Sequence, residues 1–459
     1  MIRAFAEKLR KLDNPFIVSH IDADGICSAA IISTALERIG KKPDILAIRQ
    51  LDSVTIGQIP RDRDIVFLDM GSGQLESIDF PCLIIDHHAP IKESENQLNS
   101  HHLGYAHDEA SASTLAFFLA RELGDNDDLA PIAVVGAIGD MMDRSGMKGL
   151  NLQAAEIAKQ KRLAVELRGL AFFGRETRAL PVFLEYASDP YLPGLTANRD
   201  NCLKLLEDSD IKLRETRWRT YHDLLPQEKQ RLITALHVHA ISCGLEPWQI
   251  KRMLRPYYVF PKYSRHTELR DATEFSTLLN ACGRNERPDL AIRLAKGDLS
   301  VFPEAQAMLR NHRLLLRRGI EQLSNEGARQ LNSIQYFRSD EIKPTLIGVV
   351  IGMALGSRII DPNKVAIGIS AQEGGLKISS RTVKELTRAG VNLSIAMREA
   401  SKSVGGEGGG HDIAAGAMIP EDKLEQFLKK LDELISSQLR PGQRHPSQPD
   451  EPGRQDNSD

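Results

Sequence analysis

The chain has 459 residues, enough for several buried cores and, as a first expectation, about two to four domains. With 41% hydrophobic and 26% charged residues its composition is ordinary for a globular chain, and a net charge of −3 does not by itself announce a nucleic-acid binder. No apolar run reaches the roughly 18 residues of a membrane span, and the start MIRAFAEKLRKLDN lacks the apolar core of a signal peptide, so no membrane is expected.

The cysteines (Cys27, Cys82, Cys202, Cys243, Cys282) are dispersed and never form CxxC, which offers neither a zinc framework nor a disulfide scaffold and points to a reduced cytoplasm. Asn14-Pro15 precedes the apolar run Phe16-Ile17-Val18, and HIDADG follows it. A helical pattern covers residues 26–39 and stops at Gly40. Continuous apolar runs at residues 45–48, 65–68 and 82–85 read as strands covered on both faces. Residues 111–123 and 129–142 read as helices, with Ser111 and Ser113 of DEASAST as candidate caps of the first. This alternation predicts an α/β domain over residues 1–150 with an open, mostly parallel sheet.

Residues 151–335 change character and read as a mainly helical region. Between residues 211 and 270 stand 12 Lys/Arg against 5 Asp/Glu, interleaved with Trp218, Tyr221, Trp248, Tyr257, Tyr258 and Tyr263. Basic charge beside exposed rings suits a single strand, whose backbone is anionic and whose bases stack; a solvated helical surface with its aromatics in a core explains the same pattern. His237 and His239, two apart on a helix, point to different sides and make a poor bidentate site. Residues 336–435 read as a second, smaller α/β domain: LIGVVIGMALGSRII, KVAIGISAQEGGLKISSRT, a Gly-rich loop and AAGAMI. The tail 436–459, rich in Pro, Gln and charge, is expected to be disordered.

Ligand-type residues stand at the ends of the predicted elements. His20, Asp22 and Asp24 follow the first strand, Asp69 ends IVFLD, Asp86, His87 and His88 end LIIDHH, and Asp140 lies in GAIGD. In an open α/β sheet, ligands gather outside the carboxyl ends of the strands, so three of these segments are expected to converge; Asp140 must be brought there by its helix. Carboxylates crowded into one cleft repel, and such a cluster persists most easily around a multivalent cation. Imidazole mixed with carboxylate suits Mn²⁺, Fe²⁺ or Zn²⁺ better than an all-oxygen calcium site. Four aspartates and two histidines suffice for two ions sharing a carboxylate, a recurrent device for phosphoryl transfer at a separation of about 3.5–4 Å. Any one of these residues alone reads as a turn, cap or surface residue; four such segments within about 120 residues do not arise from independent turns.

With these motifs the chain resembles the DHH phosphoesterases, named for the segment that is Asp86-His87-His88 here. The resemblance implies His20 and Asp22 as ligands of one metal, Asp24, His87 and Asp140 as ligands of the other, and Asp69 as the bridge. It implies that His88 approaches the scissile phosphate and that Asp86 orients its neighbours. Gly405-Gly406-Glu407, then Gly408-Gly409-Gly410-His411 and AAG, resemble the associated DHHA1 domain, in which consecutive glycine N–H groups can form an anion nest. There His411 is implied to donate to a phosphate oxygen and Arg381 to grip substrate phosphate.

The stretch LRDATEFSTLLNACGR over residues 269–284, together with VGGEGGGHDIAAGA, is most similar to archaeal RecJ-type, GINS-associated nucleases. That similarity implies an exonuclease on single-stranded DNA or RNA in replication or repair. Its two divalent ions would be Mn²⁺ by preference, with Mg²⁺ as the other choice, and GINS and the replicative helicase are the implied partners. The middle region is then the candidate docking surface, and neither Asn280 nor Arg284 has an assigned role. A small-substrate phosphodiesterase or phosphatase acting on short oligonucleotides or dinucleotides shares every metal ligand. A GINS-binding replisome protein with secondary catalysis is the reading from another class.

Overall fold

A strand buried on both faces needs an apolar residue at every position, and the inner strands of the first sheet meet that demand over residues 16–18, 65–68 and 83–85. The computed structural model describes residues 1–187 and 189–439, and the chain divides into two compact units, residues 1–314 and residues from 315 on. In the first unit β1 (Pro15–His20), β2 (Asp44–Ile48), β3 (Asp64–Leu68), β4 (Cys82–Asp86) and β5 (Gln97–Asn99) form a parallel sheet in the order β2-β1-β3-β4-β5. Ile17, Val66 and Ile85 point into one core with Ile26, Phe117 and Phe275. Their neighbours Val18, Phe67 and Ile84 point into another with Leu51 and Ile56. Alternate side chains thus serve opposite faces, as the pleat requires.

The helix α1 (Ala23–Arg38) starts three residues earlier than its apolar periodicity predicts, because Asp22 caps it by accepting from the Gly25 amide at 3.1 Å. Ser111 caps α2 (Ala112–Leu123) in a capping box with Thr114. In α3 (Ala130–Gly139) residues 130–138 are all buried, which suits its apolar circumference.

The middle region holds helices, among them α4 (Pro226–Ser242), and also an antiparallel pair, β6 (Val165–Leu170) with β7 (Leu254–Val259). Its own core includes Leu170, Phe183, Tyr221 and Leu236. The helix α5 (Ala272–Arg284) instead joins the core of the first sheet through Phe275, Leu278 and Leu279. Tyr221, Tyr257, Tyr258 and Tyr263 are all buried, whereas Trp218 and Trp248 are exposed. The tyrosines therefore follow the packing alternative rather than the stacking one: large rings gain more from burial than from a wet surface.

The second unit carries a six-stranded mixed sheet in the order β12-β13-β11-β10-β9-β8. Its strands are β8 (Arg329–Gln330), β9 (Ile334–Arg338), β10 (Val365–Gln372), β11 (Gly375–Arg381), β12 (Glu407–Gly410) and β13 (Ala414–Ile419). α6 (Pro344–Gly356) shares one core with Phe337 and Ala366, while α7 (Leu393–Lys402) and α8 (Leu424–Leu439) share another with Ile367 and Ile378. The glycine run expected to be a loop is the edge strand β12, paired residue for residue with β13. A Cβ on Gly408 would lie 2.7 Å from Ser401 Oγ and 2.9 Å from the Met397 carbonyl, so only a bare backbone fits against α7. The expected tail begins as ordered chain, since α8 runs through residues 436–439; the rest of it lies outside the described residues. No helix among the described residues is long and apolar enough to cross a membrane.

Candidate metal centre

Because β1, β3 and β4 are adjacent and parallel, their carboxyl ends share one edge of the sheet, and the strand order reverses between β1 and β3. Such a reversal leaves a crevice at the strand ends. His20 is the last residue of β1, Asp69 follows β3, and Asp86 closes β4 with His87 and His88 behind it. Asp140 reaches the same crevice as the cap at the carboxyl end of α3.

Two groups of ligand atoms form there, each with its members within 4.8 Å of one another: His20, Asp22 and Asp69 in one, Asp24, Asp69, His87 and Asp140 in the other; Asp69 and His87 form a further, overlapping group with His88. His20 Nδ1 lies 2.7 Å from Asp22 Oδ2 and 3.5 Å from Asp69 Oδ2. His87 Nε2 lies 3.2 Å from Asp69 Oδ1, 3.1 Å from Asp140 Oδ2 and 3.9 Å from Asp24 Oδ2. Asp69 thus turns one oxygen toward each group. Its φ of 60° is in the left-handed region, which Asp tolerates better than most residues.

Close as these contacts are, His20 Nδ1, His87 Nε2 and both oxygens of Asp69 are buried without a hydrogen bond of good geometry. A buried polar atom left so costs about 1–3 kcal/mol, and a coordinated cation removes that cost. The donor set and its orphaned atoms therefore fit divalent ions.

The electrostatics point the same way. Burial and the charge of Asp69 push the Asp24 carboxyl up to about 6, although its oxygens accept from the Ala112 and Ser113 amides at 2.7 and 3.1 Å. Burial also raises Asp69 and Asp140, reinforced at both by the charge of Asp22. Burial opposes charge on His20 and His87, yet the surrounding carboxylates win and hold both well above the ordinary imidazole range. Asp22 goes down, because the charge of His20 outweighs its burial. Anionic charge is in excess, and a divalent cation relieves it.

Asp86 differs from its neighbours. Its oxygens accept from the Ser72 amide at 3.0 Å, the His87 amide at 2.8 Å and the His88 amide at 3.1 Å, and Oδ1 lies 2.8 Å from His88 Nδ1. Burial opposes its charge, but His88 and these donors hold it well below the usual carboxylate range. Burial likewise opposes the imidazolium of His88, and Asp86 outweighs it, raising His88 to about 9. With Nδ1 turned to Asp86, the half-exposed ring of His88 is held in one orientation at the edge of the centre.

Three residues of α5, one face at i, i+3 and i+4, also belong to the centre. Asn280 Oδ1 accepts from the Ala23 amide at 3.0 Å. A Cβ on Gly283 would lie 1.9 Å from the Ile21 carbonyl oxygen. Arg284 is lowered from its ordinary range by burial, against the pull of Asp22. In α3, a Cβ on Gly136 would meet Ser113 Oγ at 2.2 Å and Asp24 Oδ1 at 2.6 Å, and one on Gly139 would meet the Ala23 side chain at 2.6 Å. The spacing in NACGR and GAIGD carried this signal, but the partner of neither face was readable from the chain.

The remaining expected site residues are in the second unit. Arg381 ends β11, donates from Nη1 to the Ser380 carbonyl at 2.8 Å, and lies over α6, where a Cβ on Gly348 would come within 2.9 Å of Nη2. Gly408, Gly409 and Gly410 are in β12, and His411 follows, exposed, with its amide donating to the Ala414 carbonyl at 2.8 Å. The glycines therefore present an edge strand rather than a loop, with the ladder to β13 on one side and the other side open.

Comparison with known proteins agrees with this architecture. Residues 14–139 match the N-terminal domain of the DHH family, residues 172–254 the DHH-CID domain and residues 332–437 the DHHA1 domain. The chain belongs to the DHH/DHHA1 family. An uncharacterised protein of Methanocaldococcus jannaschii is 31% identical over 439 residues, which are 92% of this chain and 94% of that one. The fold is that of exonuclease RecJ crystallised with manganese (TM-score 0.57, 15% identity, 95% of this chain and 94% of that one). It is equally that of CDC45 from Entamoeba histolytica (TM-score 0.64, 12% identity, 95% of this chain and 97% of that one).

Proposed function

We propose that the protein is a metal-dependent exonuclease that hydrolyses phosphodiester bonds of single-stranded DNA, RNA or both. The observation that carries this reading is the sharing of Asp69 by two ligand groups, with one oxygen facing His20 and the other His87. His20, Asp22 and Asp69 would hold one divalent ion, and Asp24, His87, Asp140 and Asp69 the other, with Mn²⁺ favoured over Mg²⁺ by the imidazoles. A pair of such ions supplies Lewis acidity to a phosphodiester and makes water nucleophilic at neutral pH. The side chains supply the rest. Asp86 fixes the ring of His88, and the cationic ring, with a pKa of about 9, donates from its outer nitrogen to a phosphate oxygen. Arg381 and His411, with the bare strand Gly408–Gly410, take further phosphates of the substrate as charged donors and as a surface open to close approach.

The test is digestion of end-labelled single-stranded DNA and RNA, each also offered as duplex, with Mn²⁺, with Mg²⁺ and with chelator. Progressive shortening of long single strands, abolished by chelator and sparing duplex, is the expected result. Cleavage confined to fragments of a few nucleotides would replace it with the small-substrate phosphodiesterase, and no cleavage at all would end it.

One observation favours a partner in addition. Val238 and Ile241, three apart on α4, are 62% and 65% exposed, inside the segment matching the DHH-CID domain. We assign this face to GINS, the partner the resemblance implies; pull-down of GINS by the protein, lost in Ile241→Asp, is the expected outcome.

A further inference from the structure

Ala23 stands between Asp22 and Asp24, which belong to different ligand groups. Its amide is one of the first-turn donors that α1 cannot satisfy from within. Asp22 serves the Gly25 amide and not this one. Ala23 is fully buried, so water does not substitute. The acceptor is Asn280 Oδ1, at 3.0 Å and 257 positions further along the chain. Less than one turn on, Gly283 is packed so tightly that any side chain would strike the Ile21 carbonyl. One face of α5 therefore holds residues 21–23 at two points: a hydrogen bond to the peptide between the two ligand groups, and a flush contact on the carbonyl before them.

We infer that Asn280 is a positioning residue for the pair of metal ions, fixing the Asp22–Ala23 peptide and with it the spacing between the His20/Asp22 group and the Asp24/His87/Asp140 group. The inference rests on the reading that these groups hold two ions. A carboxamide suits the task because its oxygen accepts the hydrogen bond of the Ala23 amide. Loss of the acceptor frees the peptide to rotate, and the two groups then lose their common register.

The experiment is Mn²⁺ titration of the full chain, followed by electron paramagnetic resonance, with wild type, Asn280→Leu and Asn280→Asp. Leu has the branched outline of Asn, though it is bulkier, and cannot accept; Asp retains an acceptor in place. A cooperative melt in chelator establishes that each variant is folded, and Asn280→Ala replaces Asn280→Leu if the latter is not. Wild type is expected to bind two ions with the broadened signal of a spin-coupled pair. Asn280→Leu is expected to bind the second ion about 10–100-fold more weakly, as loss of an outer contact to a metal site does, and to lose the coupling. Asn280→Asp is expected to recover both to within a few-fold of wild type. Wild-type affinity and coupling in Asn280→Leu, or an Asn280→Asp as weak as Asn280→Leu, overturns the inference alone. A wild type that binds fewer than two ions overturns the two-ion reading beneath it.

Discussion

Asp69 and Asp86 end neighbouring strands, both buried, and their chemistry is opposite. Asp86 is satisfied by three backbone amides and His88, and stays ionised; neither carboxylate oxygen of Asp69 has a hydrogen bond of good geometry, and the group is pushed toward its neutral form. Asp69→Asn keeps a side chain suited to a left-handed φ and removes one charge from a crowded pocket. Its Mn²⁺ affinity is expected to fall by more than the about 10–100-fold typical of an outer contact, with loss of nuclease activity. The urea midpoint of the chelated variant is expected to equal or exceed that of wild type. Wild-type metal content in this variant would refute the bridging role. A second residue tests burial rather than chemistry. His312 is 4% exposed, and burial, reinforced by Arg284 and Arg313, pushes its pKa down to about 4. The unfolded chain takes up this proton near 6.5 and the folded chain only near 4, so stability is intact above that window and falls as pH drops through it. Between pH 7 and pH 5 wild type is expected to lose about 2 kcal/mol relative to His312→Leu, read from urea unfolding at the two pH values.

At the scale of elements, α5 links two regions that are distant in the chain. Its N-cap Asp271 is held by the fully buried Arg175 through contacts of 2.7 and 3.0 Å, and its other end grips the segment before α1. Arg175→Met leaves Asp271 charged, buried and without its counterion. The expected cost is about 3–5 kcal/mol in urea unfolding, largely recovered when Asp271→Ser is added. Equal damage from the single and double variants would show that packing, not the ion pair, matters there. The inner strands β1, β3 and β4 were legible because burial on both faces leaves an unbroken apolar run, and the His20, Asp69 and Asp86 positions followed from where those runs stop; β5, Gln-Leu-Asn, carries no such run and was not expected. Asp140 was legible as a residue type but not as a location, since it is carried by a helix whose approach depends on Gly136 and Gly139 packing on α1 and α2. Asn280 was visible in NACGR and unexplained, because its partner is a backbone amide, which no side-chain pattern reports. The tyrosines of the middle region misdirected the stacking reading for a related reason: composition records a ring, not the side of the sheet it occupies.

On the scale of the whole molecule, the proposed metal ligands belong entirely to the first unit, and Arg381 and His411 to the second. The two kinds of residue are therefore separable by experiment. Arg381→Ala is expected to raise KM for a single-stranded oligonucleotide about 10–100-fold, the worth of a hydrogen bond to a charged group, with Mn²⁺ content unchanged. A fall in bound metal, or an unchanged KM, would remove Arg381 from substrate binding. The division into α/β, middle and second α/β regions was readable from the return of the apolar, Gly-punctuated pattern near residue 340. The glycine run was misread in form because a bare edge strand and a loop share one composition, and only the proximity of α7 distinguishes them.

The order of the first sheet has one more consequence. β1, β3 and β4, which end in the ligands, each have a hydrogen-bonded neighbour on both sides, whereas β2 and β5 close the sheet with one side open. Backbone amides in such inner strands exchange with solvent only when the domain as a whole comes apart, while those at an edge exchange through local fraying. Deuterium uptake at Ile17, Val66 and Ile84 should then be slow even with chelator present, and slower still with metal, because an ion bound only by the folded domain makes its opening rarer. The ends of these strands are as hard to open as the domain itself.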